Sequence, residues 1–505
     1  MLPDDAVVGE GAPATLNKAA IAQCLTHDST RPESLDISIH LRVRPLLAHE
    51  TSASHFAALS TTTPTTLRIF APKTRFDGAM TVNESSVKVD RVFGMEEDSD
   101  RVYEAVGVPL VCNALGGGVS TVMAYGQTGS GKTTTLTALQ QRLATEIFDI
   151  CKEYRRLLDG ATGEQEQVER DDKDATATSD FQIRVSFFEI FGSEAFDLLN
   201  DRLAVKILED GFGSIQVHNI REETITTPTQ FHTYITRAAG LRRTASTAKN
   251  TQSSRSHAIC RVRVTNTRIP QSEDGILYLV DLAGSEGSKD TKHHDKDRIA
   301  ESKEINKSLS ALKESVRARA MAFATDKFVH VPYRTSKLTM LLKDAFEISS
   351  AKQSRTVIIG TLAPSVLDVP ETINTTRFIA SLKDVPATLT KRNPTRPNTP
   401  TDPATWDNAY LCQWVTSNSR KISPSVLCPF ESGKQLCRLP EGQFLERCLR
   451  CEGVTEKGAK VFYLKLWKLV VDAKTRKRKE VLGHRPGLEE RERRAEEMDR
   501  EMAAL

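Results

Sequence analysis

The run Gly126-Gln127-Thr128-Gly129-Ser130-Gly131-Lys132-Thr133 sets glycines, a lysine and a hydroxyl in the spacing G-x-x-x-x-G-K-[ST], directly after the apolar stretch 121–125. That combination suits a polyphosphate. Glycines let successive backbone N–H groups turn inward on phosphate oxygens, and the N-terminus of a following helix also favours negative charge. Lys132 can reach the outer phosphates, and Thr133 offers a hydroxyl to Mg2+, which keeps a few oxygen ligands beside water and phosphate. Residues 134–154 read as the helix that must follow, so strand, loop and helix stand in the order the motif requires.

Phosphate binding alone breaks no bond; hydrolysis also needs groups that sense the terminal phosphate and place a water. Two runs provide them. In Asn250-Thr251-Gln252-Ser253-Ser254-Arg255-Ser256-His257, the hydroxyls of Ser253 and Ser254 can hold magnesium and water, and Arg255 can form an ion pair. In Asp281-Leu282-Ala283-Gly284-Ser285-Glu286, after the apolar run 276–280, Asp281 is placed to accept a magnesium-bound water. Gly284 lets a backbone N–H approach the terminal phosphate, and Glu286 can pair with Arg255. The candidate catalytic set is Ser253, Ser254, Arg255, Gly284 and Glu286, with Thr133, Ser254 and Asp281 at the metal.

The elements that must position these groups follow from alternation. Ile37, Ile39, Leu41 and Val43 alternate with polar residues and read as a strand, and further strands are expected at 181–191, 258–265, 276–280 and 356–362. Interleaved with helical segments, they predict an α/β fold of the P-loop NTPase kind, a central mostly parallel sheet with helices on both faces. This region is expected to run over 36–385, after an arm at 1–35. A Pro/Thr-rich linker at 386–403 follows, then a small all-α domain at 404–473 and a charged helical tail at 474–505.

Bulk properties narrow the class. Of 505 residues, 39% are hydrophobic and 27% charged, ordinary values for a globular chain, and no apolar run approaches bilayer length. Residues 1–36 lack a basic segment followed by an apolar block, so they do not read as a signal peptide. Nine cysteines without such a signal point to reduced thiols in cytosol or nucleus. A net charge of +3 identifies no partner, and neither nucleic acid nor membrane is expected.

In this order the phosphate loop and the two later runs resemble a kinesin motor domain, over residues 36 to about 385. So do Arg42-Val43-Arg44-Pro45, which in that family flanks the adenine, and His330-Val331-Pro332-Tyr333-Arg334, followed by Ser336-Lys337-Leu338-Thr339. The run 304–312 resembles the start of the helix with which kinesins dock on tubulin. The resemblance implies a microtubule-stimulated ATPase with ATP and Mg2+ as cofactors. Nucleotide contacts would come from Arg42, Arg44, Pro45, the loop 126–133 and Thr134, a position where the family usually has histidine. ATP is favoured over GTP because Asn306-Lys307-Ser308-Leu309 lacks the acid of a guanine reader. The segment 136–142 is shorter than in most kinesins, so the loop that interrupts this helix is expected to be nearly absent.

Several segments resemble the kinesin-13 class, which removes tubulin from microtubule ends: Phe187-Phe188-Glu189-Ile190-Phe191, Phe196-Asp197-Leu198-Leu199-Asn200, and Val205-Lys206-Ile207-Leu208-Glu209-Asp210. Lys313-Glu314-Ser315 stands where that class carries Lys-Glu-Cys. Arg75-Phe76-Asp77 occupies the place of its Lys-Val-Asp tip, whereas the literal Lys88-Val89-Asp90 falls where the family has a sheet strand. The tubulin contacts implied are Arg75, Phe76, Asp77, Lys307, Lys313, Glu314, His330, Tyr333, Arg334 and Lys337. The basic neck of the depolymerising class is missing from 1–36, and the cluster Lys474, Arg476, Lys477, Arg478 and Lys479 is an alternative source of positive charge.

Beyond the linker, Trp406, Trp414, Leu436, Phe444, Leu445 and the run 464–469 resemble a SAM or pointed-type module, implying a protein partner or self-association. Cys448-Leu449-Arg450-Cys451 leaves a zinc alternative open, although structural zinc usually takes two close pairs. The expected function is ATP hydrolysis coupled to microtubule binding, with depolymerisation at microtubule ends, in cytoplasm and cytoskeleton, spindle or flagellum. A translocating motor, or a scaffold that recruits partners through the module, stands as the alternative.

Overall fold

The computed structural model describes residues 37–76, 79–162, 180–210, 214–248, 255–267, 274–284, 296–324, 329–346, 354–383, 399–429, 431–437, 439 and 441–483. The chain divides into two compact units, Met1–Arg392 and Asn393–Leu505.

The first unit is built on β6 (Val119–Tyr125), which is buried along its whole length. Val122 and Ala124 enter one hydrophobic core and Val119, Met123 and Tyr125 the other. A strand covered on both faces favours apolar residues throughout, and this is why 121–125 reads as a nearly continuous run; buried Ser120 is accommodated by donating its hydroxyl to the Leu110 carbonyl. Beside β6 lie β13 (Gly275–Asp281) and β14 (Ser354–Leu362), both parallel to it. Next to β14 comes β1 (Ile37–Val43), then β5 (Arg91–Phe93), again parallel. The other half of the sheet is antiparallel: β13 pairs β12 (His257–Asn266), β12 pairs β7 (Phe181–Phe191), and β7 pairs β8 (Glu194–Asp197) and β11 (Glu223–Ile225). The fold is thus mixed α/β, with the parallel half carrying the phosphate loop.

Helices cover both faces. Ser99–Leu115, Lys132–Thr162 and Pro228–Ala248 seal one core through Val106, Leu110, Leu143, Ile147 and Phe231. Lys296–Ala324, Lys337–Leu341 and Val369–Lys383 seal the other through Leu309, Leu312, Leu338, Leu341 and Ile379. The helix after the phosphate loop runs 31 residues without a break, so no loop interrupts it at 136–142. It also continues past 154, where Leu157 still packs on the core and Arg155 pairs with Asp180 at 2.6 Å.

A separate three-stranded sheet, β2 (Leu59–Thr63), β3 (Thr66–Thr74) and β4 (Met80–Lys88), ends in a hairpin whose tip carries Arg75 and Phe76, both exposed. Asp77 lies outside the described residues. The literal Lys-Val-Asp run lies at the other end of β4. There Val89 is buried and Asp90 accepts a hydrogen bond from the Ile39 N–H at 2.8 Å, so this triplet belongs to the sheet framework.

The second unit is helical. Asn408–Asn418, Pro424–Leu427, Gly433–Leu436, Glu441–Leu449 and Glu456–Gly483 gather around Trp406, which is only 1% exposed. Its Nε1 donates to the Thr399 carbonyl at 2.8 Å, and its ring lies 5.3 Å from that of Trp414, which meets Phe462 in turn. The long last helix carries the chain through the basic cluster at 474–479. Cys428, Cys437, Cys448 and Cys451 are buried, and burial pushes the Cys437 and Cys448 thiols up to about 12. Among the described residues no three His, Cys, Asp or Glu side chains gather as a metal site.

Removing the indole should open a large cavity and orphan the Thr399 carbonyl. Trp406→Ala is expected to destabilise the second unit by about 3–5 kcal/mol. In a calorimetric scan of the full chain the transition of that unit should fall while the transition of the first stays; an unchanged pair would contradict the packing role.

Candidate nucleotide-binding site

The phosphate loop leaves β6 at Tyr125 and enters the helix at Lys132. A Cβ on Gly126 would stand 2.4 Å from the Thr361 carbonyl oxygen and 2.6 Å from Ser130 Oγ, so only glycine fits. Gly129 and Gly131 hold φ of +79° and +101°, values that cost a side-chain-bearing residue dearly. Ser130 Oγ donates to the Gln127 carbonyl at 2.7 Å, tying the loop across itself. Lys132 is buried, and its ammonium donates to the Gly126 and Gln127 carbonyls, both at 2.8 Å. Engaging a phosphate therefore means exchanging those carbonyls for phosphate oxygens. Gln127 Nε2 donates to Asp368 at 2.8 Å, while Thr128 and Thr134 are exposed at the rim.

Arg42 and Arg44 frame the loop in different ways. Arg42 donates to Thr135 Oγ1 at 3.0 Å and Ser99 Oγ at 2.8 Å, and burial lowers its pKa. Arg44 donates through Nε to the Gly129 carbonyl at 2.8 Å and grips Glu50 with both other nitrogens, at 2.8 and 2.6 Å. The Arg44 hydrogen bond, more than the opposing effect of burial, holds the Glu50 carboxyl down at about 2. Pro45 is exposed beside them. Glu50 escaped the sequence reading because an acid six residues after an arginine, in a five-residue helix, carries no distinctive pattern.

The metal-site residues meet at Asp281. Thr133 Oγ1 donates to Asp281 Oδ2 at 2.7 Å, and Arg242 donates to the same oxygen at 2.6 Å. Arg242 also donates to the Ser256 carbonyl at 3.0 Å. Asp281 Oδ1 is buried with no hydrogen-bond partner among the described residues. A hydroxyl beside a carboxylate with a spare buried oxygen fits a hydrated magnesium ion, with Thr133 as ligand and Asp281 receiving a bound water. Arg242, on the helix Pro228–Ala248 that precedes the run 250–257, was not foreseen.

Of the catalytic set, Gly284 is buried behind Asp281 and Arg255 is half-buried ahead of β12. Ser253, Ser254 and Glu286 lie outside the described residues. Ser256 Oγ donates to buried Glu189 at 2.9 Å, and Arg202 pairs with the same carboxylate.

The tubulin-facing candidates fall into separate groups. Arg75 and Phe76 crown the hairpin. Lys307 and Glu314 are exposed on Lys296–Ala324, and the Lys313 ammonium lies 6.0 Å from the centre of the Phe378 ring. Tyr333, Arg334 and Lys337 converge instead on β9 (Lys206–Glu209), which pairs with β10 (Ile215–His218). Glu209 accepts from Arg334 at 2.6 Å, Lys343 at 2.8 Å and Tyr333 at 3.2 Å, while Lys337 donates to the Ile207 carbonyl at 3.1 Å. Burial raises the Glu209 pKa, but the Lys343 and Arg334 hydrogen bonds outweigh it and hold the carboxyl below its usual range. His330 is exposed nearby in sequence.

Comparison with known proteins agrees with this geometry. Residues 42–385 match the family described as Kinesin motor domain. Diatom spindle kinesin-1 of Cylindrotheca fusiformis is 36% identical over 318 residues, covering 63% of this chain and 46% of that protein. Kinesin-like protein KIN-13A of Oryza sativa subsp. japonica is 32% identical over 445 residues, covering 85% of this chain and 49% of that one. The chain thus spans about half the length of these curated relatives. A solved fast kinesin superposes with a TM-score of 0.53 at 27% identity, covering 70% of this chain and 96% of that one. The motor and motor homology domain of Kar3Vik1 also gives 0.53, at 26% identity, covering 69% and 85%.

One buried group gives this site a pH signature. His257 is pushed down to about 4 from an ordinary 6.5, first by burial and then by the Arg242 cation, with Asp281 opposing. The unfolded chain takes up the proton near 6.5 and the folded chain only near 4, so stability is lost as pH falls through that window. Between pH 7 and 5 the loss should be about 2 kcal/mol. Thermal unfolding across that range should show the melting temperature falling in the wild type and falling less in His257→Asn; equal slopes would contradict the assignment.

Proposed function

The chain belongs to the kinesin family, and from that premise we propose that it is a microtubule-stimulated ATP hydrolase that acts at microtubule ends. The observation that carries the ATPase reading is the meeting of Thr133, Arg242 and Asp281 at one carboxylate beneath the glycine loop. ATP would lie along residues 126–133, with magnesium held by Thr133 and, through water, by Asp281. Bound magnesium would screen the phosphate charge that builds as the terminal phosphoryl departs. Ser253, Ser254 and Glu286 are assigned to the attacking water and its surroundings, with Arg255 paired to Glu286. Lys132 would neutralise the outer phosphates, and the Gly284 N–H would read the terminal one.

Depolymerisation is the finer part of this reading. It is supported by the likeness to KIN-13A over 85% of the chain and by the hairpin that raises Arg75 and Phe76 into solvent. A cation followed by a large apolar side chain at the tip of a paired hairpin can wedge against a protein surface. Arginine is not equivalent to lysine in such a contact, so the tip chemistry is this chain's own. Lys307, Lys313, Glu314, His330, Tyr333, Arg334 and Lys337 are assigned to the tubulin face, in the microtubule cytoskeleton. The helical second unit is proposed to supply a SAM-type contact to a protein partner or a second copy.

Two outcomes test this. ATP turnover should rise with polymerised tubulin, and Lys132→Ala or Glu286→Ala should lower it by about 10²-fold or more; retained turnover in both variants would refute these roles. Stabilised microtubules given the protein and ATP should shorten from their ends, about tenfold more slowly with Arg75→Ala/Phe76→Ala if the tip contributes on the order of 1.4 kcal/mol. Unchanged lengths beside directional gliding would establish a translocating motor instead.

A further inference from the structure

We infer that His257 is a positioning residue that carries the state of the nucleotide site to the helix Lys296–Ala324 through Ser308. The inference rests on the ATPase reading above. His257 leads β12, directly after Arg255 and Ser256, and its imidazole is buried with both nitrogens engaged. Nδ1 accepts the Ala283 N–H at 3.0 Å, so the ring proton sits on Nε2. Nε2 then donates to Ser308 Oγ at 2.8 Å, and the Ser308 hydroxyl donates to the Ile305 carbonyl at 2.7 Å. Each proton in this chain has a single place to go.

One ring fastens the helix to two segments that the sheet already pairs, at Ala258 and Asp281. The first is the start of β12. The second is the turn after β13, where Ala283 stands two residues beyond Asp281 and one before Gly284. The helix joins them at its middle, where its buried side presents Ser308, Leu309 and Leu312 and its outer side exposes Lys307 and Glu314. A phosphate or metal that displaces the Asp281 turn must carry the Ala283 N–H with it. His257 Nδ1 either follows or is left as a buried acceptor without a donor, an outcome that costs far more than a shared displacement. Ser308 is bound to the same choice. The hydroxyl is therefore a polar link from the nucleotide site into a helix that also packs there through Leu309 and Leu312.

The test uses the full chain with Ser308→Ala, His257→Asn and the double variant. Ser308→Ala should keep basal ATP turnover within about twofold while the maximal microtubule-stimulated rate falls about fivefold and the microtubule KM stays put. The two substitutions should not add: the double variant should lose no more stimulation than the worse single one. Hydrogen–deuterium exchange over 303–312, with and without Mg·ADP, gives an arm independent of tubulin. Wild type should show a nucleotide-dependent change there, and Ser308→Ala should erase it. Full stimulation in Ser308→Ala, additive losses, or a surviving nucleotide-dependent exchange would each overturn the relay. A wild-type turnover that tubulin leaves unchanged would overturn the kinesin-type activity instead, and the exchange arm would still decide the relay.

Discussion

A single buried carboxylate, Asp281, organises the nucleotide site. Strand register puts it there: β13 pairs β6 with Asp281 opposite Ala124, and the Leu282 N–H donates to the Ala124 carbonyl at 3.2 Å, so the carboxylate emerges beside the first glycine of the loop. A buried charge must be matched, and here it is matched twice, by the Thr133 hydroxyl and the Arg242 guanidinium. A hydrated magnesium ion would ask for the same carboxylate and the same hydroxyl. Thr133, Arg242 and a bound magnesium ion would therefore compete for this one carboxylate.

The surroundings of that carboxylate are stiff. Strands of the parallel half are sealed by separate cores on their two faces, and Arg44 clamps the loop to Glu50. Departures from rest must therefore go into the turn after β13 and whatever is fastened to it. At the far side, Glu209 gathers Arg334, Lys343 and Tyr333, fixing the His330-to-Arg334 run to a hairpin of its own. That network consumes charges which the sequence assigned to tubulin. Arg334 stays mostly exposed while it pairs with Glu209, so one side chain serves this network and still faces solvent.

Much of this was legible beforehand, for physical reasons. The run 181–191 and the alternation 37–43 fall on strands with those same bounds because burial on one or both faces dictates each residue type. The glycine loop was legible because sterics leave no choice at Gly126, Gly129 and Gly131. The parallel strands around β6 were legible as well, but the place of the antiparallel pairs was not, since an apolar run looks alike in parallel and antiparallel neighbours. Arg242 and Glu209 stayed hidden because each acts through a partner far away in sequence, and Glu50 because a lone acid in a short helix carries no periodic mark. His257 was read only as the end of a polar run, and its engagement with Ser308 depends on two elements meeting in space.

Magnesium affinity of the ADP-bound protein, measured by titration with a fluorescent ADP analogue in wild type and Arg242→Ala, tests the competition at Asp281 most directly. Removing the guanidinium leaves the carboxylate with one claimant fewer, so magnesium should bind more tightly, by about tenfold for a lost interaction of roughly 1.4 kcal/mol. Unchanged or weakened magnesium binding in Arg242→Ala would contradict Asp281 as the shared pivot.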